Sequence, residues 1–282
     1  MFPSILTNLA VNRGARLRAV LGIDAAWTAK EPSGVALAVN DGTGWHLRAV
    51  AASYHAFIGL AEPARSSADR PRGSLPDATA LLGTFYSLSG FSIDLVAVDI
   101  PLSKEPILAR RISDNAVSTA YGSRKCGTHT PNSHRPGPIS DAMRLDFERE
   151  GFRLLTTEII SPGLIEVYPH PALVELAEAS EQLPYKHGKV RKYWPEDPPV
   201  DRRTKLVEVW EYIISLLETK IAGVAALLPM PTLGARGYEM KAIEDTLDAV
   251  ICAWVGICAL EGDVLPYGDE KSAIWIPRRR RA

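Results

Sequence analysis

Cysteine is scarce in this chain, and Cys126, Cys252 and Cys258 fall into none of the short paired spacings that thiolate metal sites use. Two of the three lie in an apolar run with helical character, where thiols pack as small hydrophobes. A disulfide scaffold and a zinc ribbon are thereby excluded, and a reducing cytoplasm is the natural compartment. Net charge is also nearly absent: 32 Lys and Arg against 33 Asp and Glu leave −1. A protein that holds duplex phosphates without regard to sequence usually carries a basic domain, so any nucleic-acid contact here must use local patches. Long hydrophobic runs are missing too. The most apolar stretch, Thr246 to Leu260, is too short for a membrane span and carries Asp248, which marks it as a buried core helix. Phe2, Ile5 and Leu6 build no sustained apolar core before Arg13, Arg16 and Arg18, so residues 1–16 read as a flexible extension rather than a secretory signal.

What is present is an ordinary globular composition, 46% hydrophobic and 23% charged over 282 residues, enough for one large α/β domain across 17–277. Leu17 to Asp24 predicts a first strand. Val35 to Val39 and Trp45 to Ala52 flank Asn40-Asp41-Gly42-Thr43-Gly44, a hairpin signal, giving three consecutive antiparallel strands. Asp77 opens a helix through Leu88. The non-alternating run Ile93 to Ile100, closed by Pro101, predicts a fourth, buried strand. Residues 102–144 read as a large irregular insertion holding seven Lys or Arg against three acids, with Ser140 capping a helix to Gly151. Leu164 to Tyr168 predicts a fifth strand, Pro171 to Ala179 a short helix, and Lys205 to Lys220 an amphipathic one. Tyr185 to Lys205 is a second basic segment, Glu239 to Leu260 a long helix, Ala273 to Pro277 a short strand or extended tail, and residues 278–282 a basic tail. A right-handed crossover returns strand four beside strand one, giving a mixed five-stranded sheet in the order 3-2-1-4-5 flanked by helices.

That order has a chemical consequence. Asp24 ends strand one and Asp99 ends strand four, so the two carboxylates meet on neighbouring strand ends. They repel unless one is protonated or a cation lies between them. Asp245 and Asp248, one turn apart on the long helix, add to the crowding, and an acid flanked by Leu247, Ala249, Val250 and Ile251 is costly to bury unpaired. Hard divalent cations such as Mg²⁺ or Mn²⁺ are the natural remedy, and two-metal sites of this kind cleave phosphodiesters.

Gly22-Ile23-Asp24, Val98-Asp99-Ile100-Pro101, Glu166-Val167-Tyr168-Pro169 and Asp245-Thr246-Leu247-Asp248-Ala249, taken as a set over residues 18–277, resemble the DUF429 proteins, which are predicted nucleases of the ribonuclease H-like superfamily. The resemblance implies a ribonuclease H-like core with Asp24, Asp99 and Asp248 as metal ligands, and with Asp245 or Glu166 as a further ligand or water-positioning acid. The Asp-x-x-Asp-Ala pattern is similar to the end of the active site in Holliday-junction resolvases. Many relatives in the wider superfamily follow the first aspartate with glycine, whereas Ala25 and Ala26 stand here. That departure counts against the sugar-kinase, actin and chaperone ATPase branch, whose phosphate loop needs glycine.

Arg110, Arg111 and Asp114 on a helix after strand four either contact substrate phosphate or form a solvated ion pair. Lys186 either reaches an anion or is a surface lysine. His170 reads as a turn cap rather than a general acid or base, and His129 and His134 as loop residues. The expectation is a metal-dependent nuclease acting on DNA or RNA. A non-catalytic binding or scaffold module is the second class, and a nucleotide-dependent phosphotransferase the third.

Overall fold

A computed structural model describes residues 17–62, 70–232 and 234–278. The expected extension at 1–16 and most of the arginine tail lie outside the described residues. Apolar β-branched runs bounded by turns build the sheet. β1 (Arg18–Asp24), β2 (Gly34–Asn40) and β3 (Trp45–Ala51) form an antiparallel meander whose hairpin turn has Gly42 at φ 95°, in the left-handed region. Ser53 caps α1 (Tyr54–Gly59), a helix the residue pattern did not announce. Asp77 caps α2 (Ala78–Ser89), its carboxylate accepting from the Ala80 N–H at 2.9 Å, and Gly90 ends it at φ 72°. β4 (Leu95–Asp99) then runs parallel to β1.

The stretch expected to be an irregular insertion is partly helical. It holds α3 (Ile112–Tyr121) and the start of α4 (Gly137–Arg149). Ser140 does not cap α4 but lies inside it, where its buried hydroxyl donates to the carbonyl of Pro101 and ties the helix to the end of β4. The chain continues through β5 (Arg153–Leu154), β6 (Gly163–Val167), α5 (Pro169–Leu176), a single 3₁₀ turn at His187–Lys189 and α6 (Val190–Tyr193). α7 (Pro199–Glu218), α8 (Val224–Leu227), α9 (Gly237–Leu260), β7 (Val264–Gly268) and β8 (Ala273–Pro277) complete it.

Among the described residues the sheet has eight strands, not five. The order is β3-β2-β1-β4-β6-β8-β7, with β5 pairing β6 at one end, and the sheet is mixed. β8 falls on the expected apolar run Ala273 to Pro277, whereas β5 is only two residues long and β7 is interrupted by Pro266 and Gly268, so neither carries a strand pattern.

Alternation sends Val20 and Ala97 to one core and Leu21, Ile23, Val96 and Val98 to the other. The first core is organised on α9, buried from Glu244 to Ala259 with α7 outside it; the second is covered by α1, α2 and α4. Helices on both faces of one sheet give a three-layer α/β architecture. No described helix is long and apolar enough to cross a membrane.

Candidate functional site

Asp24 and Asp99 are register partners on the parallel pair β1 and β4. Each follows by two a residue that faces α9, Gly22 and Ala97, so both carboxylates leave the sheet on that side. Two glycines let the helix come close. A Cβ at Gly22 would stand 2.2 Å from the Ala249 carbonyl oxygen, and one at Gly34 would stand 1.9 Å from that of Asp245. Only a bare backbone admits α9 at this distance, and α9 carries the remaining acids, Glu244, Asp245 and Asp248, each under 5% exposed.

The segment after α5 supplies the positive charge. Tyr185 is anchored by Trp210, whose indole N–H donates to the Tyr185 carbonyl at 2.7 Å. The Tyr185 hydroxyl donates to Asp248 Oδ1 at 2.8 Å, and the Lys186 ammonium donates to Asp248 Oδ2. The His187 N–H donates to Glu244 Oε2, while Lys186 Nζ stands 3.8 Å from Glu244 Oε1. On α9 itself Lys241 donates to Asp245 Oδ1 and lies 3.3 Å from Glu244 Oε1. Asp245 Oδ2 is buried with no partner. Among the described residues, neither Asp24 nor Asp99 accepts a hydrogen bond on its carboxylate.

Crowding raises these acids. Burial, then Asp248 and Asp245, holds the Asp24 carboxyl well above its ordinary value. Burial lifts Asp99 to about 7, with Lys186 opposing and Asp248 and Glu166 reinforcing. Asp245 reaches about 6, burial outweighing Lys241. Burial disfavours the Lys186 ammonium, yet Asp248, Tyr185, Glu244 and Asp24 outweigh it and hold its pKa well above the lysine norm.

Four of the five acids expected at the site therefore gather where α9 meets β1 and β4, while Glu166 lines the larger recess with Asp99 but is committed to Arg111. Its strand neighbours Ile165 and Val167 face the α9 core, so Glu166 points to the other face of the sheet. There Arg111 grips it with two bonds of 2.6 and 2.7 Å, and the Leu102 N–H donates to it at 2.7 Å. Arg111 also binds Asp114 and the Leu102 carbonyl, and is 8% exposed, so its guanidinium is spent inside the protein. Arg110 is spent as well, donating to Asn115, Ser118 and Thr128 and tying the 128–130 loop to α3. Lys186 does reach an anion, but that anion is Asp248.

Residues the pattern did not single out finish the site. Trp27 and His129 lie between two recesses that both reach Asp99 and Lys241. One, of about 560 Å³, is lined by Asp24, Asp245, Asn132 and Arg135; the other, of about 610 Å³, by Tyr168, His170, Lys186 and Lys189. Lys241 was legible as the i−4 neighbour of Asp245. Trp27 and His129 gave no local signal. His170 is buried, with Nε2 3.2 Å from the Gln182 amide nitrogen, and His134 is exposed in its loop.

Residues 22–272 match the family described as "Protein of unknown function (DUF429)". The chain belongs to the DUF429 family. Comparison with curated proteins and with solved structures gives no match. Within the matched range, Gly22 of Gly22-Ile23-Asp24 lies against the Ala249 carbonyl, and Gly34 on the neighbouring strand lies against the Asp245 carbonyl that opens Asp245-Thr246-Leu247-Asp248.

A hard divalent cation fits the donor chemistry here: unpartnered carboxylates on Asp24 and Asp99, and an orphaned oxygen on Asp245. The side chains as they stand do not form a ready cage. Among the described residues no group of three or more His, Cys, Asp or Glu is disposed to hold a metal ion, and the compensating charge is that of Lys186 and Lys241.

Proposed function

We propose that this DUF429 chain is a divalent-metal-dependent nuclease with a ribonuclease H-like core. The observation that carries the reading is the convergence of Asp24, Asp99 and Asp245 from two strands and a helix onto one recess at the carboxyl ends of parallel strands, where α/β sheets bind ligands, with Asp248 behind them near enough to raise both Asp24 and Asp99. Asp24, Asp99 and Asp248 would hold Mg²⁺ or Mn²⁺ once Lys186 swings off Asp248. Such an ion, when bound, supplies Lewis-acid polarisation of a phosphodiester and acidifies water. Asp245, whose Oδ2 is buried and unpartnered, would accept a proton from the attacking water. Lys186 and Lys241, released from their acids, would neutralise substrate phosphate. Three free thiols fit a cytoplasmic location.

The test is cleavage of labelled single-stranded, structured and duplex DNA and RNA with Mn²⁺ or Mg²⁺. Activity is expected to require the ion and to fall at least ~100-fold, about the loss of one transition-state charge contact, in Asp24→Asn and Asp248→Asn. No cleavage of any substrate, together with no Mn²⁺ binding by calorimetry, overturns the reading.

One observation favours the non-catalytic alternative: Lys186 and Lys241 already pair with Asp248, Asp245 and Glu244. Under that reading Mn²⁺ leaves the melting temperature unchanged. Phosphotransfer from a nucleotide finds less support, because the turn after Asp24 lacks glycine and the Ala26 N–H is already bonded to Ser33 at 3.0 Å.

A further inference from the structure

Metal chemistry at the acids uses little of the larger recess. Its volume of about 610 Å³ falls in the range of small-molecule sites. Its walls pair flat rings with positive charge. Trp27 and His129 stand edge to face with centroids 6.2 Å apart on the wall shared with the acid-lined recess. Tyr168 and His170 form a second edge-to-face pair at 5.6 Å, with Lys186 and Lys189 beside them. His170 is 7% exposed, and its Nε2 lies 3.2 Å from the amide nitrogen of Gln182. Its Nδ1 is buried with no hydrogen-bond partner in a residue that lines the cavity. Rings for stacking and ammonium groups for phosphate suit a nucleotide whose base is free of its partner.

We propose that this recess receives an unpaired nucleobase next to the phosphate held at the acids, so that the substrate is a single strand. The inference rests on the nuclease reading for what happens at that phosphate and adds the substrate class. A base paired in a duplex reaches such a pocket only by being extruded from the stack, at a cost of a few kcal/mol. A chain of net charge −1 lacks the overall basic balance that would help offset that cost. A single strand already presents its bases for stacking on aromatic side chains.

The experiment is binding without cleavage, by fluorescence anisotropy of labelled octathymidylate in chelator-containing buffer. Octauridylate, a blunt hairpin duplex and thymidine monophosphate serve as competitors. Single strands are expected to compete at least about tenfold better than the duplex, and Trp27→Ala to weaken binding about tenfold, the loss of one base stack. Trp27→Phe should keep the parent affinity within about threefold, since the stack survives. Lys189→Ala, at an exposed position, should weaken binding and flatten its salt dependence. No binding of either single strand, equal binding of the duplex, unchanged affinity in both Trp27→Ala and Lys189→Ala, or a monophosphate competing as well as the octamer would overturn the proposal. Because no metal is present, a chain that binds single strands and never cuts them keeps this inference and loses the nuclease.

Discussion

Asp99 titrates near 7 because burial and neighbouring acids oppose its charge, and Asp24, Asp245 and Asp248 are displaced in the same direction. An acid whose folded pKa exceeds its unfolded value binds more protons in the folded state between the two, so its stabilising contribution is present at low pH and lost as pH climbs through the folded value. For Asp99 that window runs from the ordinary 3.8 to about 7. The metal-free protein is therefore expected to melt at progressively lower temperature from pH 5 to pH 8. Asp99→Asn should flatten that decline and raise the melting temperature at pH 8 by about 2–4 °C, the worth of roughly 1 kcal/mol in a domain of this size. Scanning calorimetry across pH decides it; a parent whose melting temperature climbs over this interval contradicts the assignment. Arg111 gives the opposite result. Arg111→Met leaves Glu166 and Asp114 as buried charges without their partner, which costs about 3–5 kcal/mol. Urea titration should show that loss, whereas a substrate-gripping arginine would give a variant of parent stability. The difference between these residues explains what the sequence could disclose. An acid at the end of an apolar strand or inside an apolar helix is conspicuous because its burial is costly, and Asp24, Asp99 and Asp248 were legible for that reason. Glu166 looks the same in one dimension, and its partner stands 55 residues away.

At the scale of elements, the site depends on how closely α9 approaches the sheet. Gly22→Ala forces a methyl onto the Ala249 carbonyl, and Gly34→Ala forces one onto that of Asp245. Each is expected to destabilise the protein by about 1–3 kcal/mol, the range for overpacking, and to move the acids of α9 away from Asp24. Gly83→Ala, where an added Cβ meets nothing within 4 Å, is the control and should be neutral or stabilising. Chemical denaturation of the three variants separates these outcomes, and a Gly22→Ala protein as stable as the parent would contradict the close packing. β1 to β4, β6, β8 and the long helices could be read from periodicity and turn chemistry. α1 and β7 could not: one is six residues long, and the other is broken by Pro266 and holds its place only through β8.

For the molecule as a whole, a near-neutral chain gathers four aspartates and Glu244 where α9 meets the ends of β1 and β4, and pairs three of these five acids with Lys186 and Lys241. Lys186, paired with Asp248, would be the cation that holds this place when no metal does. Lys186→Ala should then lower the melting temperature of the metal-free protein and enlarge the upward shift caused by Mn²⁺, because the ion no longer competes with an ammonium. A Mn²⁺ shift that disappears with Lys186 would mean that the lysine helps bind the ion rather than standing in for it.

The most direct measurement is anomalous diffraction from crystals soaked in Mn²⁺. The account predicts a peak bounded by carboxylate oxygens of Asp24, Asp99 and Asp248, with the Lys186 ammonium withdrawn from Asp248. Crystals with no peak at those acids, and with Lys186 still bound to Asp248, would contradict it.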